Sequence, residues 1–158
     1  MLEEMAAFFE ARLSDYDEHM LTAIESAQEF YPFTADQLPK QADVHVLDLG
    51  CGTGLELEFY FRLNSTAEVT GIDLSKGMLD ALRAKISGRK LNLIQGSYFD
   101  LPFPTAAYDA AVSVESLHHF TQAEKTPLYT KLYHALKPGG YFILTDYFAH
   151  NDHDEREM

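Results

Sequence analysis

Cysteine is nearly absent. Cys51 is the only one in 158 residues, so the chain can form no internal disulfide and offers no thiolate cluster for a metal. Standing within a glycine loop, Cys51 reads as a small buried hydrophobe rather than a nucleophile. Basic residues are also scarce. Twelve Lys and Arg against 25 Asp and Glu leave a formal net charge of -13, which opposes polyanionic partners, because cationic side chains are what neutralise phosphates and displace their counterions. Nucleic acid and anionic membrane are therefore poor partners. The charge is explained well enough by solubility, and it would suit a neutral or cationic substrate. No run approaches the roughly eighteen apolar residues of a membrane span, and the first residues, Met-Leu-Glu-Glu-Met, are acidic where a secretory signal would be basic. A cytoplasmic protein of one domain is expected.

Short apolar runs alternate with helical stripes, the pattern of an α/β fold with a doubly wound, mainly parallel sheet. The runs predict strands at about 44–49, 67–73, 91–95, 108–114 and 140–147. Leu55, Phe59 and Leu63 form one stripe, Leu79, Leu82 and Ile86 a second, and Leu128, Leu132 and Leu136 a third. Thr53-x-x-Glu56 and Thr121-x-x-Glu124 have the spacing of capping boxes, and Ser75 is placed to cap the helix after Asp73. Residues 1–40 are expected to be a helical cap, with Pro32 and Pro39 bracketing a linker into a sheet domain over 41–158.

The informative unit runs from Val44 to Ser75. It reads as a buried strand, the loop Gly50-Cys-Gly-Thr-Gly54, a helix, and a second strand ending in Asp73. Alternating glycines let the backbone turn sharply and approach a ligand, and an acid about twenty residues on falls where a ribose hydroxyl pair would lie. A nucleoside cofactor is implied. Leu55 stands where a dinucleotide fingerprint would have its third glycine, and no Gly-Lys-Ser/Thr follows to cradle phosphates. The loop thus suits a cofactor without a phosphate chain.

In Val46-Leu-Asp-Leu-Gly-Cys-Gly-Thr-Gly54 and the later Asp73, the chain resembles the class I S-adenosylmethionine-dependent methyltransferases of small molecules. The resemblance implies a Rossmann-like fold and S-adenosyl-L-methionine as cofactor. It further implies that Gly50, Cys51, Gly52, Thr53 and Gly54 form the cofactor loop, with Asp48 beneath the ammonium group. Asp73 would accept from the ribose hydroxyls, and Leu74 and Met78 would wall the adenine. The next family motif is altered: Gln95-Gly-Ser-Tyr-Phe-Asp-Leu-Pro-Phe103 has Ser97 in place of the aspartate that holds the adenine amino group, so Ser97 and Tyr98 become the local candidates, and Asp100 reads as a loop acid or a cofactor contact.

Ser113-Val-Glu-Ser-Leu-His-His-Phe120 resembles the segment that passes under the sulfonium. Glu115 would accept from the ammonium group, and His118 would serve as a base or as polar wall. Tyr16 and His19 resemble positions of the helix over the cofactor, Tyr16 at the carboxylate end or in the core, and His19 facing the substrate.

Family members usually have seven strands, in the order 3-2-1-4-5-7-6, and this chain stops after the fifth. A fragment is therefore expected, its apolar fifth strand left as an edge, with a partner's strand covering that edge as the alternative; a homodimer is the assembly considered. Against methyl transfer to a small molecule stand a cofactor-binding protein without activity and an NAD-dependent oxidoreductase, the latter disfavoured by the alternating glycines.

Overall fold

The computed structural model describes residues 27–114, 117 and 120–145, with side chains from residue 31 onward. Its elements run in the order α1 (Ala27–Gln37), β1 (His45–Leu49), α2 (Leu55–Leu63), β2 (Glu68–Asp73), α3 (Lys76–Lys85), β3 (Lys90–Gln95), β4 (Tyr108–Val114), α4 (Gln122–Ala135) and β5 (Leu136–Thr145). All four strand pairings are parallel, in the order β3-β2-β1-β4-β5. The order reverses beside β1, which places a crevice at the carboxyl ends of β1 and β4, the position where open α/β sheets bind ligands.

Strand alternation sends Val46 and Leu47 to opposite faces, and each face builds its own core. Tyr31, Ala35 and Leu38 join Leu57, Tyr60, Phe61 and Leu82 over Val46, Val69 and Val112. On the other face Leu128, Leu132 and Ala135 pack with Leu117 and Phe120 over Leu47, Leu49, Ile72 and Ala111. Strands β1 and β4 are buried apart from His45 and Asp109, which are half-buried, whereas β3 has only exposed and half-buried residues, as befits a sheet edge.

Three local readings are corrected by packing. In α2 Leu55 is buried and Phe59 half-buried as expected, but the stripe continues through Leu57, Tyr60 and Phe61, and Leu63 is 48% exposed. Tyr60 sets this phase. Its hydroxyl donates to the Pro39 carbonyl at 2.6 Å, and the Asn64 amide donates to the carbonyls of Pro39 and Gln41, so helix and linker lock together. Pro32 lies inside α1 rather than at its end, because Tyr31, Thr34, Ala35 and Leu38 bury one side of that helix and outweigh the lost hydrogen bond. The fifth strand begins at Leu136, four residues earlier than expected. Leu136 pairs with Tyr108 and Tyr141 with Ala110, so Lys137-Pro-Gly-Gly140 bulges out between them.

The caps divide. Thr121 and Glu124 exchange both bonds of a capping box, and the Ser75 hydroxyl accepts from the Met78 N–H. The Thr53/Glu56 pattern does not cap: α2 begins from Gly54 in the left-handed region, with no side-chain cap, and both Thr53 and Glu56 are buried.

Candidate functional site

The glycine loop hangs from the end of β2. Gly50 and Cys51 both donate their N–H groups to the Ile72 carbonyl, at 2.8 and 3.2 Å, and Gly54 donates to Cys51. One residue past Ile72, Asp73 takes the Gly52 N–H on one carboxylate oxygen (2.8 Å) and the Ser75 N–H on the other (3.0 Å). The acid and the loop, twenty-one residues apart in sequence, are therefore one structure. The Asp73 backbone carbonyl also receives the Gly96 N–H, which brings the loop after β3 to the same end of the sheet.

Two glycines matter for separate reasons. Gly52 has φ +54, and a Cβ added there would meet nothing within 4 Å, so the glycine is required by the left-handed backbone and the space beside it is open. Gly54 has φ +73, and a Cβ there would run into the Leu82 side chain, so this glycine serves helix packing. Cys51 is buried, and its sulfur packs where a side chain at Gly71 would stand. Burial, with the Asp48, Asp73 and Glu56 carboxylates around it, pushes the thiol well above its ordinary range. It is a packing residue.

Asp48 is the site's unusual group. It points to the same sheet face as Val46, toward α2, and is wholly buried, and neither of its carboxyl oxygens meets a hydrogen-bond donor among the described residues. Burial, and then the Glu56 carboxylate, hold Asp48 well above the ordinary carboxylate range. Burial raises Glu56 as well, opposed by its interaction with Asp48 and by Lys85. Sequence reasoning missed Glu56. Its pattern with Thr53 pointed to a cap, and the contrary signal was an acid inside the mainly apolar run Leu55-Glu-Leu-Glu-Phe-Tyr-Phe61.

The loop after β3 is held from below by a residue that no motif marked. Lys131 on α4 donates to the carbonyls of Tyr98 (2.5 Å), Leu101 (2.6 Å) and Phe99 (3.3 Å), with its ammonium 4.1 Å from the Phe103 ring centre. Desolvation lowers its pKa. The Ser97 hydroxyl, half-buried, accepts from the Phe99 N–H, and Tyr98 is buried against Phe99 and Phe120. Leu74 is half-buried and Met78 is 1% exposed. Glu115, His118, Tyr16 and His19 lie outside the described residues.

These residues fit a cationic nucleoside cofactor: a glycine loop with open space, a hydroxyl acceptor in Asp73, and buried carboxyls of Asp48 without a donor. The family described as "Methyltransferase domain" matches residues 46–140. The fatty-acid O-methyltransferase of Mycolicibacterium smegmatis is 37% identical over 67% of this chain and 39% of its own length. The demethylmenaquinone methyltransferase of Symbiobacterium thermophilum is 33% identical over 63% of this chain and 41% of its own. Among solved structures, an S-adenosylmethionine-dependent methyltransferase from Mesorhizobium loti superposes with a TM-score of 0.63 at 28% identity, covering 72% of this chain and 50% of that one. The chain spans about two fifths of the length of these two curated relatives.

Proposed function

The chain belongs to the class I S-adenosylmethionine-dependent methyltransferases, and from that premise we propose that it binds S-adenosyl-L-methionine at the carboxyl ends of β1, β2 and β3 and passes the methyl group to a small molecule. The observation that carries the reading is the Gly52–Asp73 hydrogen bond, which joins the open glycine loop to the acid at the end of β2.

On this reading Asp73 orients the ribose, and Gly50, Gly52 and Gly54, with Cys51 and Thr53 between them, line the methionine part. Leu74, Met78, Ser97 and Tyr98 surround the adenine, while Asp48, Glu115 and Tyr16 serve the ammonium and carboxylate ends. The bound cofactor supplies an electrophilic methyl group on a sulfonium that leaves as a neutral thioether. Little acid or base help is then required of the protein, whose main contribution is alignment, worth up to roughly 7–11 kcal/mol in favourable intramolecular models. His118 and His19 are the side chains we assign to the acceptor.

A small-molecule acceptor is supported by the names of two relatives, a fatty-acid O-methyltransferase and a demethylmenaquinone methyltransferase, and the net charge of -13 disfavours a polyanionic one. Calorimetric titration tests the cofactor. S-adenosylhomocysteine is expected to bind and NAD to fail, and the reverse would overturn the reading. Transfer of labelled methyl groups into a metabolite collection, and not into RNA or DNA, tests the acceptor.

A further inference from the structure

Two carboxyl groups side by side in a protein interior cannot both stay charged without compensation. Asp48 is 0% and Glu56 3% exposed, and neither oxygen of Asp48 has a donor among the described residues. An ionised carboxylate in such a place would lose its hydration with nothing to replace it, and a second one beside it would add direct repulsion. A retained proton removes both costs, since a protonated Asp48 donates to the Glu56 carboxylate and the two share one charge.

We infer that Asp48 and Glu56 hold one proton between them in the empty site and release it when the ammonium group of the cofactor binds, so that Glu56 belongs to the cofactor's charge receptor. The inference rests on the cofactor reading given above and deepens it.

The surroundings account for the direction. Asp73, from the end of β2, adds a third negative charge, and Cys51 in the glycine loop is a buried neutral thiol. The sheet neighbours of Asp48 are Gly71 on β2 and Val112 on β4, neither of which is charged. From α3, Lys85 acts on Glu56 but is already paired with Glu58 at 3.2 Å. Among the described residues, then, the positive charge needed for double ionisation is lacking until a ligand brings it. On binding, the acid O–H bond breaks, the proton passes to solvent, and the pair goes from one negative charge to two, offset by the ammonium. By linkage, affinity should rise with pH through the titration of the pair and level off once the pair is ionised.

The experiment is calorimetry of S-adenosylhomocysteine binding in two buffers of different ionisation enthalpy, repeated across pH, with adenosine as the ligand that lacks the ammonium. The expected result is release of about one proton per S-adenosylhomocysteine at low pH, and affinity rising by up to about tenfold per pH unit there. Adenosine should release none. Asp48→Asn should bind without release and with a flattened pH profile, and the comparison of buffers on the unsubstituted protein decides the matter even if that variant fails to fold. Binding with equal enthalpy in both buffers and no pH dependence would overturn the inference and leave the cofactor reading standing. No binding of S-adenosylhomocysteine at any pH would overturn the cofactor reading and this inference with it. Equal proton release by adenosine would remove the ammonium from the account.

Discussion

The two ends of the sheet treat their polar groups in opposite ways. At the amino ends of the strands, polar groups are matched. The His45 ring meets the Thr70 hydroxyl at 2.8 Å, the His45 N–H donates to Asp109, and Asp109 also receives Lys137, while Glu68 accepts from Asn92. At the carboxyl ends, the buried Ser113 hydroxyl has no hydrogen-bond partner and the buried Asp48 carboxyl meets no donor among the described residues, and Asp48, Glu56 and Asp73 bring three acids together. Unsatisfied buried polar groups cost about 1–3 kcal/mol each, and more when charged. A fold keeps them where a ligand completes them, so one end serves stability and the other serves binding.

The largest effect that would break this contrast is at Gly54. Gly54→Val combines a left-handed backbone with a clash against Leu82, and a loss of about 3 kcal/mol or more is expected, visible as a large drop in the urea midpoint. Gly52→Ala should lose only about 1 kcal/mol, from backbone strain, but abolish binding of S-adenosylhomocysteine. If the alanine at Gly52 left affinity unchanged, the open space above that residue would not be the ligand's.

Asp73 and Asp109 sharpen the comparison, being the same residue type at opposite ends. Asp73→Ala should reduce cofactor affinity by about tenfold or more and, since it also frees the N–H groups of Gly52 and Ser75, destabilise by about 2 kcal/mol. Asp109→Ala loses bonds to the His45 N–H and to Lys137, and should weaken folding while leaving affinity unaltered. Equal losses of affinity in the two variants would erase the distinction between the ends.

Lys131→Met comes next. Removing an ammonium that holds three carbonyls is expected to cost about 1–2 kcal/mol and to speed hydrogen exchange at residues 97–101, while the glycine loop keeps its protection.

The smallest effect belongs to His45. Desolvation lowers its pKa, so the folded protein takes up a proton there less readily than the unfolded chain does. Stability from this group is present above the ordinary histidine pKa and is lost as the pH falls below it. His45→Gln should therefore show a shallower loss of stability on acidification than the parent. An identical slope in the two proteins would mean that His45 does not contribute.

Element types were legible because apolar periodicity acts locally. The strands of β1 to β4 agree with the expected ranges within one residue, and Ser75 and Thr121 cap as their sequences imply. Where long-range packing competed, local reading failed. Leu63 kept the spacing of a core residue and lost the place to Tyr60 and Phe61, because the linker carbonyls of Pro39 and Gln41 reward that other phase.

The candidate site divides along the same line. By itself the sequence determined the glycine loop, the acid at Asp73 and the parallel sense of the strands, since these follow from backbone freedom, from spacing along one βαβ unit and from the alternation of strands with helices. Only the tertiary structure decided that Glu56 lies buried beside Asp48 rather than capping a helix, and that Lys131 grips a loop some thirty residues earlier. Both depend on which face of a helix meets the sheet. That choice is made by the whole core at once, and no short stretch of sequence carries it.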